Sequence, residues 1–178
     1  TLSSSSAASD VYKRQELNHA MEALRNSVQN VGQVKQSSNY VNEDQPEQHN
    51  YDNAVNEAQA TISNNAQPVL DKLAIERLTQ TINTTKDALH GAQKLTQDQQ
   101  AAETVIRGLT SLNEPQKNAE VAKVTAATTR NEVSNIRQEA TTLDTAMHGL
   151  RESIKDKNDT KNSSCLLYTS DAADEEDS

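Results

Sequence analysis

Residues 17–38 recur in the same chain 126 residues later. Leu17-Asn18-His19-Ala20-Met21-Glu22-Ala23-Leu24-Arg25-Asn26-Ser27 aligns on Leu143-Asp144-Thr145-Ala146-Met147-His148-Gly149-Leu150-Arg151-Glu152-Ser153. The alignment continues without a gap to Lys35/Lys161, Ser37/Ser163 and Ser38/Ser164, with nine identities in 22 positions. Self-similarity at a fixed offset is the mark of an array. A period of 126 residues is domain-sized, far longer than one solenoid turn, so compact units following one another as beads or a rod are expected. The match stops at Ser164, and with Cys165 the texture of the sequence changes.

Within the period, apolar residues step at three and four, the spacing of one face of an α-helix. Leu17, Ala20, Met21, Leu24, Val28 and Val31 predict a helix near 16–36, and the polar stretch 37–50, with Pro46, reads as a loop. Tyr51, Ala54, Val55, Ala58 and Ile62 predict a second helix, ended by Asn64-Asn65 and Pro68. Leu70, Leu73, Ile75, Leu78, Ile82 and Leu89 predict a third, closed by Gly91 near its C-cap. Thr96 is placed to cap a fourth, with Ala101, Ala102, Val105, Ile106 and Leu109 as its apolar positions. Asn113 caps a fifth, with Pro115 in its first turn and Ala119, Val121, Ala122 and Val124 apolar. The sixth runs from Val133 through Ile136, Ala140, Leu143, Met147 and Leu150 to Ile154. It crosses the repeat boundary, and at 1.5 Å per residue it spans roughly 40 Å. A helix across the boundary stiffens the junction, where a flexible linker would be rich in Gly and Ser.

Only 33% of the residues are apolar, with no Trp or Phe and four Tyr, so one large core is excluded and thin three-helix bundles with narrow apolar stripes fit. The helical spacing of the apolar residues argues against disorder in the middle of the chain. Residues 1–15 and 165–178 lack that spacing and resemble translated adapter sequence, so they are expected to be disordered, non-native tails. The net charge of −9 comes without a Lys/Arg cluster, which excludes nucleic acid as a partner. No apolar run of about 20 residues is present, so no membrane span is expected, nor is 1–15 a signal peptide. A lone Cys165 makes no internal disulfide.

The sequence assigns no catalytic, cofactor-binding or metal-binding residue. His19, His49, His90 and His148 have no ligand-like spacing to one another, and the repeat sets His19 against Thr145 and Glu22 against His148. Glu43, Asp44 and Glu47 fall in the Asn-rich loop, without the glycine-centred alternation of a calcium loop. Asn83-Thr84-Thr85 is a formal glycosylation sequon inside a predicted helix. Tyr40 and Tyr51 are the only aromatics between the tails; they flank the first loop, either as contacts for a partner or as packing for the loop.

Three stretches carry a family resemblance: Leu17 to Val28, Lys35 to Asp44 (Lys-Gln-Ser-Ser-Asn-Tyr-Val-Asn-Glu-Asp), and Tyr51 to Ala58 (Tyr-Asp-Asn-Ala-Val-Asn-Glu-Ala). Together they resemble a FIVAR module. Lys86 to Leu95, continued by Ile106 to Lys117, resembles a GA module. Alternating modules of these kinds are similar to those of giant extracellular matrix-binding proteins of Gram-positive cocci. The resemblance implies an extracellular, cell-wall-associated rod of three-helix bundles in contact with adjacent repeats of its own chain. It also implies binding of host matrix such as fibronectin, or a purely structural role in the envelope. GA modules elsewhere bind albumin, but no aromatic residue occurs in 91–128, where albumin-binding versions present contacts. The expected division is a tail over 1–15, a FIVAR-like module over 16–79, a GA-like module over 80–128, a long helix opening the next repeat over 129–164, and a tail over 165–178.

Overall fold

A computed structural model describes residues 2–155 and 157–161. All the regular structure among them is helical: α1 (Leu2–Val28), α2 (Val31–Gln36), α3 (Ser38–Val41), α4 (Gln45–Ser63), α5 (Lys72–Asp87), α6 (Gly91–Gly108), α7 (Glu114–Ala126), α8 (Arg130–Lys155) and α9 (Lys157–Lys161). None is long and apolar enough to cross a membrane. The chain divides into two compact units, one made of Thr1–Gln97 with Thr128–Arg130, the other of Asp98–Ala127 with the residues from Asn131 onward.

The first unit is a three-helix bundle in which α1, α4 and α5 pack against one another. Its core is Ala20 and Leu24 from α1, Tyr51, Ala54, Val55 and Ala58 from α4, Ile75 and Ile82 from α5, and Leu89. These positions recur at three, four and seven, so each helix brings one narrow stripe inward. The alanines among them let the helices approach closely, with the single large Tyr51 filling the space between. Asp71 caps α5, accepting from the Leu73 amide at 3.0 Å.

Three expectations change in this unit. The segment 2–15 is not disordered: α1 starts at Leu2. It contains neither Pro nor Gly, and once a nucleus exists each added residue contributes one hydrogen bond, so the helix propagates outward although residues 9–15 are all exposed. The single helix expected over 16–36 breaks at Gln29-Asn30, and the turn brings Val31 and Val34 onto the core. The loop expected over 37–50 shrinks to 42–44, because α3 forms before it and α4 starts at Gln45 with Pro46 in its first turn, where a missing amide costs nothing. The tail expected over 165–178 lies outside the described residues.

In the second unit the buried apolar side chains are Ala102 and Ile106 on α6, Leu112, Val124 on α7, and Val133 and Ala140 on α8. Asn113 and Gln116 form a reciprocal capping box at the start of α7, with Pro115 in the first turn, as the sequence predicts. The phase of α7 differs from expectation. Ala119 and Ala122 face solvent, while Glu120 is buried beside Val124. Lys123 holds the Glu120 carboxylate at 2.7 Å, and this charge partner lets an acid occupy an inward position. Gln99 donates to the carbonyls of Val124 and Ala127 at 3.2 and 3.1 Å, satisfying acceptors that the end of α7 leaves free. Helix α8 is 26 residues long and continues through Gly149, as the three-four spacing requires.

Candidate functional site

The densest polar chemistry lies in the first unit, on α3 and the three residues after it. Asn39, Asn42, Glu43 and Asp44 reach from there to the start of α6 and to the turn at 128–130. The Glu43 side chain is fully buried and ion-paired with Lys94. Its carboxylate accepts from the amides of His90 and Asp44, the latter at 2.9 Å. Asn39 Oδ1 accepts from the Ala92 amide at 3.3 Å. Side chains from α3 and the loop after it thus serve as the N-cap of α6, engaging amides that the first turn leaves without partners. Burial alone would push the Glu43 carboxyl up; the Lys94 ammonium and the two amides outweigh it and hold it below its ordinary value.

Asn42, itself buried, donates through Nδ2 to the Thr128 carbonyl at 3.1 Å and accepts through Oδ1 from the Arg130 amide at 2.9 Å. Asp44 bridges Lys94 at 2.5 Å and Arg130 at 2.7 Å, and these two cations lower its carboxyl. Gly91 sits under this segment. A Cβ built there falls 2.5 Å from the Glu43 nitrogen and 2.6 Å from both the Asn39 oxygen and the Asn42 carbonyl carbon. Its φ is not positive, so glycine is required here for space and not for backbone conformation.

These contacts explain why α6 starts at Gly91 and not after Thr96. The Thr96 hydroxyl instead donates to the Ala92 carbonyl at 3.1 Å, inside the helix. Its cap comes from residues some 50 positions upstream, where local sequence carries no signal. Asn39, Asn42, Lys94, Arg130 and Gly91 are the structural residues that sequence reasoning missed; the one visible hint is the run Asn42-Glu43-Asp44 before a proline-started helix.

Tyr40 and Tyr51 come together edge to face, with ring centroids 6.1 Å apart and planes at 67°. Tyr51 is 1% exposed and belongs to the core, out of reach of a surface ligand, whereas Tyr40 is half-buried. The Tyr40 hydroxyl donates to Asp52 Oδ2 at 2.8 Å, and Lys35 pairs with Asp52 Oδ1 at 2.9 Å. Burial and the Asp52 carboxylate push the Tyr40 phenol up to about 12. Gln48 donates to the Tyr40 carbonyl at 2.7 Å, which ties α3 to α4.

Glu43, Asp44 and Glu47 offer carboxylate oxygens within 4.8 Å of one another. Two of the three already carry Lys94 or Arg130, and Glu43 accepts two amides besides. A cation would have to displace those partners, so the donor set is that of an ion-pair network. An open groove of about 580 Å³ lies between α1 and α5. Lys72 pairs there with Glu16 and Glu76 at 3.3 and 3.7 Å.

Residues 20–90 match the FIVAR domain and residues 92–146 match the GA module. The chain is built from a FIVAR domain followed by a GA module. In the FIVAR domain fall the tyrosine pair and the 39–44 network, and the GA module begins on the helix whose start that network caps. The chain is 44% identical over 160 residues to the extracellular matrix-binding protein ebh of Staphylococcus aureus strain MW2, and equally so to extracellular matrix-binding protein EbhA of strain Newman. Each alignment covers 90% of this chain but only 2% and 5% of those relatives, so the chain spans a small fraction of their length. Among solved structures, the 756–1003 domain of S. aureus EbhA superposes with a TM-score of 0.71 at 31% identity, covering 80% of this chain and 56% of that one. A second S. aureus domain, 3912–4037, described as similar to streptococcal adhesins, superposes with a TM-score of 0.65 at 28% identity, covering 71% and 98%.

Proposed function

We propose that this FIVAR–GA chain is a stretch of an extracellular, cell-wall-associated array. In this reading it acts as a spacer between neighbouring repeats and as a module that binds host matrix protein, with fibronectin the first candidate. Residues 20–90 and 92–146 act as the two modules, and the part of α8 beyond them opens the next repeat. The observation that carries the reading is the self-match at an offset of 126 residues, joined to 44% identity over 90% of the chain with relatives named for matrix binding. The 26-residue α8, which runs through the repeat boundary, supports the spacer half. No catalytic step is part of the reading.

Surface plasmon resonance of the whole chain against immobilised fibronectin and albumin tests the ligand half. Saturable binding to fibronectin at micromolar concentration is the expected result, with weak sites strengthened by repetition along an array. Silence on both removes the adhesive role and leaves the spacer. Albumin is the second candidate because of the GA module, and the lack of any aromatic residue in 91–128 counts against it. Since Tyr51 is buried, contact with a ligand near the first loop falls to Tyr40. Small-angle scattering from chains of two or three repeats tests the spacer half, and a compact radius there would sink it.

A further inference from the structure

The two copies of the repeated motif bury different sides of the same helix. In α1, the motif turns Ala20 and Leu24 into the core of the first unit, where Leu24 is fully buried. In α8, the equivalent Ala146 and Leu150 are exposed, Leu150 by 55%. The other side is the one in use there. Asp144 Oδ1 accepts from the amides of Ser111 and Leu112 at 2.7 and 3.2 Å, and Arg151 Nη1 donates to the Thr110 carbonyl at 3.3 Å. Asp144 and Arg151 thus hold the tight connection between α6 and α7, in which Ser111 and Leu112 are both buried.

Shifted back by 126 residues, these two positions are Asn18 and Arg25. Both are exposed in α1. An asparagine Oδ1 stands at the same distance from the backbone as that of aspartate and has two lone pairs, so it accepts the same two amides without the charge. Leu17 and Met21 lie between the two sides of the motif and are half-buried, as are their equivalents Leu143 and Met147. Each copy in this chain therefore displays one half of a two-sided contact surface.

We infer that Asn18 and Arg25 form the seat for the α6–α7 connection of a preceding copy of this repeat. Asn18 accepts the amides equivalent to Ser111 and Leu112, and Arg25 donates to the carbonyl equivalent to Thr110. The inference rests on the array reading above and adds to it a defined contact between successive copies. With both sides occupied, Leu17 and Met21 pass from half-buried to buried.

The test is a two-copy chain in which residues 1–142 continue directly into residues 17–178, so that Asn18 follows in the register of Asp144. Amide exchange at Ser111 and Leu112 of the first copy is read by NMR. In the single chain, Asp144→Leu is expected to speed both amides about tenfold or more, the loss of a buried hydrogen-bond acceptor. In the two-copy chain, Asn18→Leu should do the same to the first copy, and Asn18→Asp should leave the amides at least as protected as in the parent. In the single chain, Asn18→Leu should not move the melting curve. Protected amides that ignore Asn18→Leu overturn the seat alone. First-copy amides that exchange freely even in the parent two-copy chain overturn the array reading along with it.

Discussion

Replacing Gly91 with alanine should destabilise the first unit although the residue is the first of a helix and alanine is the better helix former. A helix interior gains about 1 kcal/mol from glycine to alanine, and less at the first position. Against that gain stand three contacts at 2.5, 2.6 and 2.6 Å with the Glu43, Asn39 and Asn42 backbones, which cannot swing aside as a side-chain tip can. Relieving them pushes α3 away from α6, lengthening the bonds from His90 to Glu43 and from Ala92 to Asn39. Overpacking together with two weakened hydrogen bonds, one of them half-buried, gives a net cost of about 2–4 kcal/mol. For a unit of this size that lowers the melting midpoint on the order of 10–20 °C. The assay is thermal unfolding of the whole chain, followed by near-ultraviolet circular dichroism of the buried Tyr51 as a reporter of the first unit. Gly149→Ala is the control. Nothing lies within 4 Å of its added Cβ, so it should leave stability equal or raise it by up to about 1 kcal/mol. A Gly91→Ala chain that melts with the parent or above it would refute the reasoning.

Further consequences follow from the charges. The Tyr40 phenol is raised to about 12 from its ordinary 10.0, so its contribution to stability is complete below pH 10 and lost as pH climbs toward 12. Spectrophotometric titration should show this late tyrosine, and Asp52→Asn should move it earlier; an unchanged titration contradicts the Tyr40–Asp52 bond. Glu43 and Asp52 are both held below their ordinary 4.5 and 3.8, so their contribution is present above those values and lost as pH falls through the lowered ones. Glu43→Gln should therefore lower the midpoint at neutral pH and flatten its decline in acid, a difference read from melts at pH 7 and pH 3. Glu120 is buried with one carboxylate oxygen lacking a hydrogen-bond partner, so Glu120→Met should be neutral or stabilising by up to about 2 kcal/mol in urea unfolding. A loss of more than that would mean the Lys123 pair contributes more than its desolvation costs.

What the sequence reveals and what it hides divide along the range of the interactions involved. Helices whose caps are local were legible. Asn113, Pro115 and Gln116 lie within four residues and announce the start of α7, and the three-four spacing from Val133 to Ile154 predicts α8 without a break. Where a partner sits far along the chain, local reading places boundaries wrongly. Gly91 looks like a terminator because glycine commonly is one, yet Glu43 and Asn39 supply the missing acceptors and α6 begins there. The phase of α7 misled for a related reason. A pattern of Ala and Val marks an apolar stripe only when the alternative positions carry no satisfied charge, and Lys123, three residues on, makes Glu120 acceptable inside. The candidate contact pair was half legible: two tyrosines beside a polar loop do meet, but the spacing that places Tyr51 with Ala54, Val55 and Ala58 already assigned it to the core stripe. The repeat was the most informative signal because it compares the chain with itself. It identifies Asn18 with Asp144, and through that pair turns a contact present once in the structure into an expectation for a surface that is exposed in this chain.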